Sequence, residues 1–175
     1  ARKKASSTTG TKTSTKPSTN TNTNSGSNAS KTSESFNASE IQNDMLTILN
    51  QERAKRGLNP VSLASSVESA SQTRANQLVT DFNHTDNNGN SYIDVILKGM
   101  KVYVPVMECI GQTNTEDTNM EMAKEIMHMY LYDDASANWA HRGLLTWDKA
   151  TKVGIGVAKS GDTVYDAINI YSYGV

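Results

Sequence analysis

Chemically versatile side chains are few in this 175-residue chain. Histidine occurs three times, as His84, His128 and His141, and cysteine once, as Cys109, with Glu108 beside it. Neutral imidazole nitrogen and carboxylate oxygen both suit zinc, and a catalytic zinc needs three protein ligands plus an open position for an activated water. Two histidines and one carboxylate would fill such a set. The same groups can instead form a hydrogen-bonded network that joins helices to a sheet. Cys109 offers a second chemistry, thiol attack assisted by an imidazole. Its bland counterpart is a small buried apolar residue. His128 falls within a helical pattern and reads as an ordinary helix residue. Spacing alone does not bring any of these groups together.

Two further motifs carry less. Asp86-Asn87-Asn88-Gly89-Asn90 has turn chemistry. With Gly89 at the sixth position of a calcium loop, His84 would occupy the first, where a carboxylate is required. Asn28-Ala29-Ser30, Asn37-Ala38-Ser39 and Asn83-His84-Thr85 match the glycosylation sequon. Such matches arise by chance in a chain rich in Asn, Ser and Thr.

The elements that must position these groups follow from hydrophobic periodicity. Ser39-Glu40-Ile41-Gln42 has the form of a capping box, and Ile41, Met45, Ile48 and Leu49 continue at helical spacing until Gly57 and Pro60 close the segment. A second helix is expected over 65–81 from Val67, Ala70, Arg74, Leu78 and Phe82. Residues 92–112 read as irregular, with a β-prone patch at 102–107. A third helix is expected over 119–132, its methionines filling the core, and a short one over 137–145. Two strands, 152–158 and 163–171, flank the turn Ser160-Gly161-Asp162. Helices first and a terminal hairpin last indicate an α+β fold.

Composition divides the chain. Residues 1–35 hold nine Ser and nine Thr and no Val, Ile, Leu, Met, Phe, Trp or Tyr. A segment with nothing to bury cannot offset the entropy of ordering it. Residues 1–38 are therefore expected to be a disordered, basic Ser/Thr/Asn-rich linker, and 39–175 one folded domain. The first 35 residues carry a net +5 and the remainder −6. A basic arm on an acidic domain suits an anionic envelope polymer or acidic lipid surface. No aromatic residue interleaves with the arm's charges, which argues against nucleic acid. No run of 18 apolar residues marks a transmembrane segment, and a single cysteine excludes an internal disulfide. Ala rather than Met at position 1 leads to the expectation of a trimmed or mature form.

In order along the chain come Asn50-x-x-Arg53-x-x-x-Gly57-Leu58-x-Pro60, Ala70-x-x-x-Arg74-Ala75, Phe82-Asn83-His84-Thr85, Met107-Glu108-Cys109-Ile110-Gly111, Trp139-Ala140-His141-Arg142-Gly143-Leu144-Leu145 and Lys152-Val153-Gly154-Ile155-Gly156. Together they resemble the CAP superfamily, which includes cysteine-rich secretory proteins, antigen 5 allergens, plant pathogenesis-related proteins and bacterial SCP-like proteins. The resemblance covers about residues 39–173. It implies an α-β-α sandwich with a central antiparallel sheet, and a cleft lined by two His and two acidic residues. Three of those positions carry over as His84, Glu108 and His141, the candidate metal ligands and catalytic residues.

The sequence also departs from the family. The Glu expected on the third helix is missing, which leaves Asp133 or Asp134 to supply the fourth carboxylate. Met107 stands where the family has Gly, and Cys109 where it has Asn. The expected function is a secreted or cell-surface module of the cell envelope whose cleft binds a lipid, peptide or glycan, or a zinc or other divalent ion. The alternative is a metal-dependent hydrolase acting on peptide or wall polymer. Enzyme activity is left open at this point.

Overall fold

The computed structural model describes residues 34–173. The expected linker falls, for its first 33 residues, outside the described part. Its last residues make contacts: the Glu34 amide donates to the Asp117 carbonyl at 2.8 Å, and Phe36 packs against the main core.

The fold is α+β. Helix α1 (Ala38–Lys55) starts one residue before the expected capping box, because the Asn37 side chain accepts from the Glu40 amide. Asn37 is thus the N-cap, and Gln42 is used elsewhere, donating to Gln72 at 2.7 Å. The short strand β1 (Ser62–Leu63) follows, then α2 (Ser65–Leu78), α3 (Tyr92–Gly99), β2 (Met107–Asn114) and α4 (Asn119–Tyr132). A 3-10 turn (Ala135–Ala137), α5 (Ala140–Leu145), and the hairpin of β3 (Lys152–Ser160) and β4 (Thr163–Tyr171) complete it. Gly161 takes φ +58 in the hairpin turn, a left-handed conformation that glycine adopts without strain.

The four strands lie in the order β1-β3-β4-β2. β2, β4 and β3 pair antiparallel, whereas the two-residue β1 is parallel to β3. The sheet is therefore antiparallel except along that short edge.

Side-chain alternation sorts the layers. Cys109, Val153, Ile155, Val157, Val164, Ile168 and Ile170 face the main core beneath α1 and α4, with Met45, Met122 and Met127 among its fillers. The opposite face receives α2. There Gly154 and Gly156 let the helix backbone lie directly on β3: a Cβ at Gly156 would come within 2.0 Å of the Ser71 carbonyl oxygen, and one at Gly154 within 2.5 Å of Val67. Gly156→Ala must push α2 off the sheet. It should cost about 3 kcal/mol, the upper end of ordinary overpacking, or roughly 10 °C in Tm by calorimetry. Gly143, with nothing within 4 Å of an added Cβ, is the control: Gly143→Ala should leave Tm unchanged or raise it.

Two expectations for residues 92–112 are corrected. Residues 92–99 form a helix, capped by Ser91, whose side chain accepts from the Asp94 amide. Its run of Ile93, Val95, Ile96 and Leu97 is too short for periodicity to separate helix from strand. The patch at 102–106 is not a strand; pairing begins at Met107.

Candidate functional site

Glu108 lies on β2 with its side chain on the α2 side of the sheet. Its cross-strand partner Asn169 also turns that way, donating to Ser71 of α2 at 2.8 Å. Arg74 of α2, fully buried, donates from Nε to both Glu108 oxygens at 3.0 and 3.3 Å. The same guanidinium donates to the Asn83 carbonyl and lies over the Tyr92 ring, 4.9 Å from its centroid. Tyr92 in turn donates from its hydroxyl to Asp81, and its amide donates to the His84 carbonyl at 3.0 Å. Arg74 thus fixes the loop that carries His84. His84 Nδ1 stands 3.7 Å from Glu108 Oε1, with the His84 side chain half exposed. That separation permits an ion pair once the imidazole is protonated and is too long for a hydrogen bond.

His141 is placed by a different apparatus. Asp134 follows α4, and its carbonyl accepts from the amides of Ala137 at 3.2 Å and Trp139 at 2.9 Å, closing the 3-10 turn. Asn138 and Trp139 both adopt positive φ, 52° and 61°, a costly conformation for non-glycine residues. Arg142 lies over the Trp139 ring at 3.8 Å and stabilises the turn. His141 then sits at the start of α5, with Nδ1 2.6 Å from Asp134 Oδ1, while the Arg142 amide donates to Oδ2 at 3.1 Å. Burial opposes the charge on Asp134, yet the His141 hydrogen bond and the Arg142 amide outweigh it and hold the carboxyl below its usual range. An ionised Asp134 accepts from Nδ1–H, which leaves His141 Nε2 without a hydrogen bond among the described residues.

The structure therefore joins His84 to Glu108 and His141 to Asp134. Among the described residues His84, Glu108 and His141 do not form a metal-holding cluster. Strand alternation turns Glu108 toward α2, while His141 packs beside Tyr130 of α4, ring centroids 5.3 Å apart. Among the described residues no group of three or more His, Cys, Asp and Glu side chains is arranged to hold a metal ion. Glu108 is moreover held by a guanidinium, whose charge opposes a second cation. The donors do not fit a catalytic zinc with three protein ligands. Of the two candidates for the fourth carboxylate, Asp134 is buried and pairs with a histidine, whereas Asp133 is exposed.

Cys109 is fully buried in the main core. Burial, then the nearby carboxylates Asp166, Asp134 and Glu108, push its thiol far up, so it holds no reactive thiolate at neutral pH. His128 is exposed on α4 and stacks on Tyr132 at 5.6 Å.

Sequence reasoning missed a buried acid. Asp166 of β4 is fully buried and accepts from the Tyr130 hydroxyl at 2.7 Å through Oδ1. Its Oδ2 has no hydrogen-bond partner among the described residues. Gly111 opposite makes room: a Cβ there would lie 2.5 Å from the Tyr130 hydroxyl and 2.6 Å from Asp166 Oδ2. An acid inside the apolar alternation of 164–171 was the available signal.

A groove of about 180 Å³ runs beside these groups, lined among others by Gly111, Tyr130, Asp133, Asp134 and His141. A larger hollow of about 520 Å³, bordered by Ile48, Met127, Leu131 and Tyr132, contains none of the paired site residues.

The model of the CAP (cysteine-rich secretory protein) family matches residues 46–174. The chain belongs to the CAP family. The CAP domain of Enterococcal PrgA has the same fold, with a TM-score of 0.57 at 20% identity over 81% of this chain and 65% of that one. An outer surface protein from Borrelia burgdorferi gives 0.58 at 15% identity over 78% and 97% of the two chains. A cysteine-rich secretory protein from Staphylococcus aureus gives 0.54 at 13% over 78% and 40%. The chain thus spans 65% of the PrgA domain's length, and at these identities the likeness is one of fold. No curated protein matches the chain. Among the described residues no helix is long and apolar enough to cross a membrane.

Proposed function

We propose that the chain is an extracellular or surface-attached binding module of the cell envelope, whose ligand lies in the groove beside His141. The family membership and the bacterial surface proteins that share the fold support the location. The observation that carries the binding role is the His141–Asp134 pair. A buried carboxylate orients an imidazole that is 28% exposed, and its free Nε2 is available to hydrogen-bond a ligand. The six basic residues of 1–33, with no acid among them, supply attraction to an anionic envelope polymer, an effect that weakens as salt rises.

The second expected reading, a metal-dependent hydrolase, is less well supported because Arg74 already neutralises Glu108. The test is a binding screen of the full chain against immobilised peptides, glycans and lipid vesicles, with His141→Phe as the variant. We expect His141→Phe to weaken the retained ligand about tenfold or more, the scale of one good hydrogen bond to a histidine, and also to lower Tm because the buried Asp134 loses a partner, so affinity is compared at a temperature where both proteins are folded. Equal affinity in the variant would remove the role of His141. Stoichiometric zinc by calorimetry, together with hydrolysis lost in His84→Ala, would install the hydrolase reading instead.

A further inference from the structure

The strand β2 is the edge of the sheet and pairs only with β4. In an antiparallel ladder the backbone groups of alternate residues point toward the partner, and those between point away. The Thr115 amide donates to the Asp162 carbonyl at 2.9 Å, continuing the register in which Asn114 lies opposite Thr163. Odd-numbered residues of β2 therefore bond to β4. The amides and carbonyls of Glu108, Ile110, Gln112 and Asn114 face outward, and no described strand takes them.

Open edges are normally blunted by lysine, proline or a bulge. β2 has none of these: it reads Met-Glu-Cys-Ile-Gly-Gln-Thr-Asn, and its eight pairs with β4 run one to one.

The groove beside His141 lies along this edge. It is lined by three consecutive residues, Ile110, Gly111 and Gln112. Successive side chains point to opposite faces of a sheet, so a pocket on either face would touch alternate residues only. The far wall is the end of α4, the 3-10 turn and His141. That wall stands directly beside the open backbone edge of β2. The charge of the lining is acidic, from the exposed Asp133 and from Asp134, with His141 as the sole basic group lining the groove.

We propose that the outer edge of β2 receives an extended peptide as an added strand, with a basic side chain of that peptide set against the exposed Asp133. The inference rests on the binding-module reading and names its ligand class. Main-chain hydrogen bonds to Ile110 and Gln112 supply the register, and the acidic wall supplies the selection.

The probe is a capped hexapeptide alternating threonine and valine with one central lysine, titrated into the isotopically labelled full chain. The amides of Ile110 and Gln112 should shift and become protected from exchange, whereas Gly111 and Thr113, already bonded to β4, should change little. N-methylation at alternate peptide amides should abolish binding in one phase of the alternation and not in the other. Lysine to glutamate in the peptide should weaken binding about tenfold or more, and Asp133→Asn should narrow that difference. Gln112→Pro, which deletes one outward N–H, should weaken binding as well. The methylated peptides keep the test readable if that variant misfolds. Three results would overturn the inference: no binding at millimolar peptide, affinity indifferent to N-methylation, or a concentration-dependent dimer joined through β2. A glycan or lipid that binds while no peptide does would sink the peptide inference and leave the binding module standing; silence from every ligand class would sink both.

Discussion

Arg74→Met should lower the stability of the folded chain by about 3–5 kcal/mol, the usual cost of leaving one partner of a buried ion pair without the other. The Arg74 side chain is fully buried and that of Glu108 is 6% exposed. Methionine keeps most of the stem's packing but leaves the Glu108 carboxylate under α2 with only the His84 imidazole, 3.7 Å away, in place of the guanidinium. The loss extends to the site. Arg74 also bonds the Asn83 carbonyl and covers Tyr92, so the loop bearing His84 loses its anchor. Urea unfolding should show the lower midpoint, and resonances of His84 and Thr85 should broaden or move. Arg74→Met combined with Glu108→Gln should regain much of the stability, because the stranded charge is gone. The loop should stay disturbed in the double variant, because the bond to Asn83 is still missing. A double variant as unstable as the single one would show that packing, rather than charge, sets the role of Arg74.

The limits of the sequence fall at particular residues. The helix over 119–132 was legible because Ala123, Ile126, Met127, Tyr130 and Leu131 form one buried stripe and the pattern is long. The hairpin over 152–171 was legible because alternation and a Ser-Gly-Asp turn agree. α3 was not, since eight mostly apolar residues carry no decisive period. The site divides in the same way. The family resemblance proposed His84, Glu108 and His141 as cleft residues, but which side chains meet depends on strand parity and on which helix layer each loop serves. Parity gives Glu108 to Arg74. The positive φ of Asn138 and Trp139 swings His141 onto Asp134; Asn is a type that favours that conformation, whereas Trp139 does not announce it.

The second large effect concerns pH. Burial pushes the Asp166 carboxyl up to about 7 from an ordinary 3.8, and the hydrogen bond from Tyr130 offsets part of that rise. Tyr130 itself, buried beside Asp166, is pushed well above its ordinary value and stays a neutral donor. Between about pH 4 and pH 7 the folded chain keeps a proton on Asp166 that the unfolded chain has released. This group's contribution is therefore fully present below pH 4, declines as pH rises, and is gone above about pH 7. At about 1.4 kcal/mol for each pH unit, the window amounts to roughly 4 kcal/mol.

Asp134 and Glu52, both held below their ordinary values, act in the opposite sense, and only at lower pH. Asp166→Asn keeps the shape and an acceptor for the Tyr130 hydroxyl while removing the charge. Its stability should be nearly flat from pH 5 to 8. Relative to the parent, the variant should gain about 3 kcal/mol between pH 5 and pH 8, the part of the Asp166 titration that lies in that range. The check is chemical denaturation of both proteins across that range. Parallel curves would mean that Asp166 does not titrate within it, and that its unpartnered oxygen is satisfied in solution by a group that carries no proton linkage.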